Sequence, residues 1–285
     1  MQEKKYKLHN MFKTKRLFLI LIVQFSFLFY IFALPSRIVS LAPNGTEILY
    51  ELGCTSKIVA RTDFCDYPSQ VLALPSIGGF DGKSFSIETI LAYNPDFVYM
   101  VDGMHNHLED LLKQFNVPYY LSKATSIDAV FEEIADVAKI MECQEKGDKL
   151  VFRMKKELDA IKRSPEKKPS VYCEIFASPY MSIGKSSFMN DILEFAGARN
   201  IFEDLSQSYP QISEEAVIAK NPDFIIVPYY SPDQINLMYK RHGWNNISAV
   251  KNHKIYAIDA DIFSRPGPRV VDAIKMVQDI IWSDE

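Results

Sequence analysis

Side chains able to do covalent or redox chemistry are scarce in this 285-residue sequence, and the arrangements that would put them to work are missing. The four cysteines, Cys54, Cys65, Cys143 and Cys173, form no Cys-x-x-Cys pair. None stands beside a histidine at zinc-ligand spacing, which argues against a zinc site. Cys54 and Cys65 are the nearest pair, but dispersed thiols in a chain of this size read as core residues rather than a bridge. There is no Gly-x-Ser-x-Gly elbow. Gly184-Lys185-Ser186 looks like the end of a phosphate loop, but Pro179 stands where that loop needs its first glycine, so the segment reads as a plain loop after a strand. Of five histidines, His9 lies in the basic N-terminal stretch. His105 and His107, in the loop Gly-Met-His-Asn-His, have no acidic or cysteine partner at ligand spacing. A metal-dependent hydrolase would have to rest on those two residues; a solvated loop is the simpler reading.

Positive charge is also in deficit once the N-terminal stretch is set aside. Lys4, Lys5, Lys7, Lys13, Lys15 and Arg16 precede an apolar run from Leu17 to Ala33, the pattern of an export signal. Residues 1–33 are therefore expected to be a signal peptide or an N-terminal anchor, with residues 17–33 as the part that would hold the membrane. No cysteine follows the run, so a lipoprotein processing site is not expected. Beyond residue 33 the chain holds 26 Lys and Arg against 35 Asp and Glu, a net charge near −9. An acidic chain is a poor match for phosphate backbones, which excludes nucleic acid as a partner.

What the sequence does have is a repeated passage. Residues 86–100 read SIETILAYNPDFVYM and residues 213–227 read SEEAVIAKNPDFIIV, at a constant offset of 127 residues. Two distant copies exclude a solenoid and point to two similar lobes with a cleft between them. Strands alternate with helices on both sides of the middle: Arg37–Ala42, Lys57–Ala60, Phe97–Val101 and Tyr119–Leu121, then Ser170–Ile175, Phe224–Val227 and Ile255–Ile258. Continuous Ile and Val in these runs indicate mainly parallel sheets covered on both faces. The middle, Ile127 to Lys162, carries apolar residues at helical spacing, and Gln144–Arg163 is long enough to cross between lobes as a strut. The organisation expected is an α/β chain of two Rossmann-like lobes: residues 34–126, a helical segment 127–163 containing the interlobe helix, and residues 164–285.

The loops after the strands are aromatic: Phe64, Tyr67, Phe80, Phe85, Tyr180, Tyr209, Tyr229, Tyr230 and Phe263. Ligands of open α/β sheets bind beyond the carboxyl ends of the strands, and aromatic faces there suit a large, flat, partly apolar ligand. Asp261, Arg265 and Arg269 precede the last helix, where Arg265 is placed to hydrogen-bond a ligand amide or carboxylate. Glu88 and Glu215 follow the expected helix N-caps Ser86 and Ser213 by two residues each, where the helix dipole favours a carboxylate. One exposed glutamate per lobe makes a matched pair for a two-fold partner.

The segments RIVSLAPNGTEILYELG (37–53), DYP (66–68), GKSSFMNDILEFAGARNIF (184–202), YPQISEEAV (209–217) and DIFSRPGPR (261–269) together resemble the helical-backbone class of ABC-transporter substrate-binding proteins, and most closely its cobalamin-binding members. The resemblance spans about residues 37–282. It implies two α/β lobes joined by one long helix, no catalysis and no cofactor, and a monomer that carries cobalamin, haem or a ferric siderophore to a permease dimer from a periplasmic or extracytoplasmic position. By resemblance, Glu88 and Glu215 match the glutamates that dock on permease arginines. Phe64, Phe80, Tyr209, Asp261, Phe263 and Arg265 match positions lining the corrin cleft, with Tyr67 and Tyr180 added from the aromatic loops. Phe64 stands where the cobalamin binders have Tyr, Phe80 and Tyr209 where they have Trp, and the 81–86 loop is longer. A membrane-tethered sensor is the third reading, should residues 17–33 persist.

Overall fold

A computed structural model describes residues 34–79, 86–229 and 231–283. The export segment, Phe80, Phe85 and Tyr230 lie outside the described residues. Residues Pro35–Glu285 form one compact unit. Among the described residues, no helix is long and apolar enough to cross a membrane.

The chain folds into two α/β layers. In the first, β1 (Ile38–Ser40), β2 (Ile58–Arg61), β3 (Phe97–Val101) and β4 (Tyr119–Ser122) make an all-parallel sheet in the order β2-β1-β3-β4. In the second, β5 (Ser170–Ala177), β8 (Phe224–Val227) and β9 (Ile255–Ala257) run parallel. The free edge of β5 is shared by β7 (Arg199–Asn200), parallel along its first two residues, and β6 (Tyr180–Ser182), antiparallel along its last. The short β6 and β7 have no sequence signature of their own; the tight Ser178-Pro179 turn and the end of a preceding helix put them against β5.

The repeated passage has one structural job, done twice. In each copy a serine caps a helix: Ser86 Oγ accepts from the Thr89 amide and Ser213 Oγ from the Ala216 amide. Each helix is followed by an asparagine in the left-handed region, Asn94 at φ 47° and Asn221 at φ 43°, a conformation asparagine tolerates better than most residues. Each then presents an aspartate that ties down the start of the neighbouring strand. Asp96 accepts from the amides of Ser36 and Arg37, and Asp223 from the Ser170 amide and hydroxyl. The repeat is therefore a helix stop and a strand anchor, one per sheet.

The long helix runs Gln144–Ile161, 18 residues, two fewer than its sequence pattern predicts. Lys162 leaves helical geometry and the Arg163 amide turns to the Phe195 carbonyl, so the last turn is given up to fasten the second half of the chain. The core is not divided lobe by lobe. One cluster takes in the inner faces of both sheets (Ile38, Phe97, Val171, Phe224) together with the helices Ile127–Ile140, Gln144–Ile161, Phe188–Phe195 and Val270–Ile281. Two smaller clusters cover the outer faces, around Val98 and Met100 in one and Ile225 and Trp244 in the other.

Candidate functional site

The site is built where the carboxyl ends of both sheets meet. The helix Pro43–Glu51 begins immediately after β1, with Pro43 in its first turn, where a residue without an N–H loses nothing. Pro43-Asn44-Gly45 has the residue types of a turn, but the helix starts there. Gly45 is required at this point: a Cβ would fall 2.2 Å from the Tyr99 ring. With the helix pressed that closely on the sheet, Glu47 is buried, at 1% exposure.

A buried carboxylate needs partners, and Glu47 finds two arginines more than two hundred residues away. Arg269 donates Nε to Oε2 at 2.9 Å and Nη2 to Oε1 at 2.5 Å, and Arg265 donates Nη1 to Oε1 at 3.2 Å. Arg265 also donates to Asp66 Oδ1 at 2.7 Å, to the Phe64 carbonyl at 3.0 Å and to Asp261 Oδ1 at 2.6 Å. One guanidinium thus collects three carboxylates and a carbonyl from both halves of the molecule. Burial pushes the Glu47 carboxyl up from its ordinary range against the pull of Arg269 and Arg265. At Asp66 burial also opposes ionisation, but the Arg265 hydrogen bond and charge overcome it and hold the carboxyl below its usual range. Asp261 is pushed up, by burial first and then by its neighbours Asp66 and Asp259.

Above this charged floor stand exposed aromatic faces. Phe64 (54% exposed) and Tyr67 (38%) come from the loop after β2, Tyr209 (47%) from the segment before the second repeat, and Tyr229 (55%) from the loop after β8. Arg269 lies over the Tyr67 ring at 4.2 Å, a cation–π contact that fixes the ring's tilt, and Tyr50 meets Tyr67 edge-on. The Tyr229 hydroxyl donates to Ser264 Oγ at 2.8 Å. Its titration feels Asp261 and Arg265, and that of Tyr209 feels Tyr229, so these side chains share one neighbourhood.

The structure brings Phe64, Tyr67, Tyr209, Asp261 and Arg265 together and leaves two expected residues out. Phe263 is fully buried in the shared core, on a short helix Ala260–Phe263 that Asp259 caps, and offers a ligand no surface. Sequence reading makes this stretch a loop; the Asp259 carboxylate, accepting from the Asp261 and Ile262 amides, makes it a helical turn. Tyr180 sits on the antiparallel edge strand under the Arg241 guanidinium, 5.1 Å from its ring centre, with its hydroxyl donating to Glu214. Arg265 differs in role: with 8% exposure and four internal acceptors it ties the floor together instead of reaching toward a ligand. Phe80 falls outside the described residues. Sequence reasoning passes over Glu47 and Asp66. Both stand inside the segments that carry the family resemblance, which is the available signal.

Glu88 and Glu215 are both exposed in the first turn of their helices. Both carboxyls sit below the ordinary range, Glu88 through the Ser86 hydroxyl and its own amide, Glu215 through its own amide and the Ser213 hydroxyl. They are two charged, capped, geometrically equivalent positions. The other sequence candidates dissolve. His105 is fully buried and its Nδ1 accepts from the Val101 amide at 3.1 Å. A Cβ on Gly184 would fall 2.1 Å from the Gln207 carbonyl and 2.8 Å from that of Leu205, so its glycine serves a close chain crossing. Among the described residues no group of three or more His, Cys, Asp or Glu is placed to hold a metal ion.

Comparison with known proteins agrees on one family. A family model described as periplasmic binding protein matches residues 38–262. An uncharacterized ABC transporter substrate-binding lipoprotein of Bacillus subtilis is 30% identical over 260 residues, 88% of this chain and 81% of the relative. A vitamin B12-binding protein of Vibrio campbellii is 29% identical over 245 residues, 85% of this chain and 87% of the relative. Among solved structures, a possible iron-binding (periplasmic solute-binding) protein from Staphylococcus epidermidis superposes with a TM-score of 0.78 at 31% identity, covering 87% of this chain and 99% of that one.

Proposed function

The chain belongs to the periplasmic binding protein family, and from that premise we propose that it captures cobalamin or a related corrinoid between its lobes and delivers it to an ABC-transporter permease. As a substrate-binding protein of this family it is a transport component, not an enzyme. The reading of the ligand rests on one observation: aromatic faces from both halves (Phe64, Tyr67, Tyr209, Tyr229) stand exposed above a floor whose charges are already paired. Aromatic rings that stay exposed in the folded protein offer stacking area to a broad, flat ligand, and a self-satisfied floor asks for no ligand charge to complete it. The exposed Asp261 carboxylate remains as a hydrogen-bond acceptor at the edge. The protein would act outside the cytoplasm as a monomer, exported by residues 1–33 or held by 17–33. The second reading, a haem or ferric siderophore in the same place, is favoured by the similarity to the Staphylococcus epidermidis protein.

The deciding experiment titrates purified protein with cyanocobalamin, haemin and a ferric siderophore, followed by visible absorbance and by heat. Cobalamin binding at micromolar concentration or tighter is expected. Binding of haemin or siderophore alone moves the protein to the second reading. Glu88 and Glu215 are proposed to dock on the permease: the double variant Glu88→Ala, Glu215→Ala should bind ligand as before and lose uptake. Unchanged uptake would remove them from the docking surface.

A further inference from the structure

The four cysteines divide into two buried and solitary thiols and one pair. Cys65 is fully buried beside β1, its sulfur against Thr62 Oγ1 and the Ser40 carbonyl. Cys173 is fully buried in the middle of β5. Cys54 and Cys143, 89 residues apart in sequence, lie on opposite sides of the contact between the turn ending the Pro43–Glu51 helix and the start of the Gln144–Ile161 helix.

That contact is close and multiply fixed. Lys146 Nζ donates to the Leu52 carbonyl at 3.0 Å, and a Cβ on Gly53 would fall 2.7 Å from the same Nζ. Gly147 lets the helix press on Ala138, whose Cβ lies 2.5 Å from where a Cβ would be, and Leu52 Cδ2 is 3.9 Å from the same point. The Cys54 amide is tied to Leu49 and the Cys143 amide to Ala138, so both backbones are set. Cys54 packs in the shared core and Cys143 against it. Both thiols belong to this contact: Cys54 Sγ lies 3.8 Å from the Leu52 carbonyl that Lys146 also reaches, and Cys143 is the cap residue of the helix that carries Lys146. Burial raises the Cys143 thiol, and the Cys54 sulfur raises it further. Cys143 is partly exposed whereas Cys54 is buried, which gives the pair an entry side and a resolving side.

We propose that Cys54 and Cys143 form a disulfide when the protein is in an oxidising compartment, clamping the interlobe helix to the first lobe. The proposal rests on the extracytoplasmic location given above. The oxidant is another disulfide, a glutathione-type small molecule or a thiol oxidase. The Cys143 thiolate attacks it, forming a mixed disulfide and expelling one thiolate. The Cys54 thiolate then attacks Cys143 Sγ and expels the second. Two protons and two electrons leave the pair, one S–S bond forms, and the oxidant is reduced to two thiols. Cys65 and Cys173 take no part, because neither is presented to solvent.

The test treats reduced, purified, full-length protein with glutathione disulfide, alkylates it under denaturing conditions and maps the peptides by mass. Two alkylated cysteines, 65 and 173, and a reducible cross-link between the peptides of 54 and 143 are expected. The oxidised form should melt higher than the reduced form by about 5–15 °C, since the bond closes a long loop in the unfolded chain. Cys143→Ser, at the less buried position, should abolish both the cross-link and the sensitivity of Tm to reductant. Four alkylated cysteines after oxidation, or a cross-link through Cys65 or Cys173, overturns the proposal. An alkaline-phosphatase fusion measures location separately, so an intracellular protein whose pair still closes in vitro would refute the location and leave the pairing standing.

Discussion

Besides Glu47 in the floor of the site, each half of the molecule buries one glutamate beside its sheet, and these two are satisfied by opposite means. Glu133, on the Ile127–Ile140 helix, is 2% exposed and receives only neutral donors: the Tyr99 hydroxyl, Ser122 Oγ at 2.7 Å and Asn44 Nδ2 at 3.2 Å. Burial dominates those three bonds, and its carboxyl is pushed up to about 7. Glu174, on β5, is fully buried and meets a fixed cation: Arg241 donates to both its oxygens at 2.6 and 2.7 Å, while Tyr172 adds a bond at 3.0 Å. Arg241 is itself held by its stack on Trp244, 4.4 Å from the ring centre. Hydrogen bonds from neutral groups leave a buried acid free to answer desolvation by taking up a proton; a planar cation gives it charge-assisted, bidentate partners. Glu133 is therefore a pH-sensitive point in the first half.

The hardest way to break that comparison is Arg241→Ala. It leaves Glu174 buried without its cation and should cost about 3–5 kcal/mol in urea unfolding, the range for an uncompensated buried charge. Replacing both partners, Glu174→Gln with Arg241→Met, should recover most of that loss.

Glu133→Gln sharpens the contrast. Because Glu133 takes up its proton near pH 7 when folded and near 4.5 when unfolded, the wild-type fold loses stability as pH rises between those values. The variant cannot ionise and should escape that loss, by up to about 3 kcal/mol at pH 8 with no gain at pH 4. Parallel urea curves at the two pH values check the sign. The smallest effect compares the two repeats. Ser86→Ala and Ser213→Ala each remove one helix cap, at about 1 kcal/mol, and should also bring the pKa of the adjacent glutamate back toward its ordinary range. Proton-linked NMR shifts of Glu88 and Glu215 would register the second change even where the first is small.

The lobes, the strut helix and the two glutamate-bearing helix starts are legible in the sequence because each leaves a local or periodic trace. A serine cap, an Asn-Pro-Asp stop and a strand run lie within fifteen residues of one another, twice. The floor of the site leaves no such trace: Glu47 and Arg269 are 222 residues apart, and nothing near either foretells the other. Aromatic content gave the rim in part. It is an average over loops, and it cannot separate Tyr229, with an exposed face, from Phe263, which a capped helical turn rotates into the core.

The shared core has a consequence for how the chain comes to be folded. The helix Val270–Ile281 comes later in the chain than every other element of that core, yet it is fastened to the middle of the molecule: Gln278 Nε2 donates to the Ile161 carbonyl, Trp282 Nε1 to the Ala196 carbonyl, and Arg163 lies over the Trp282 ring. The shared core is incomplete until that helix has been made. During synthesis the polypeptide stays without its keystone until its last helix emerges, so the core sets only once the chain is nearly whole.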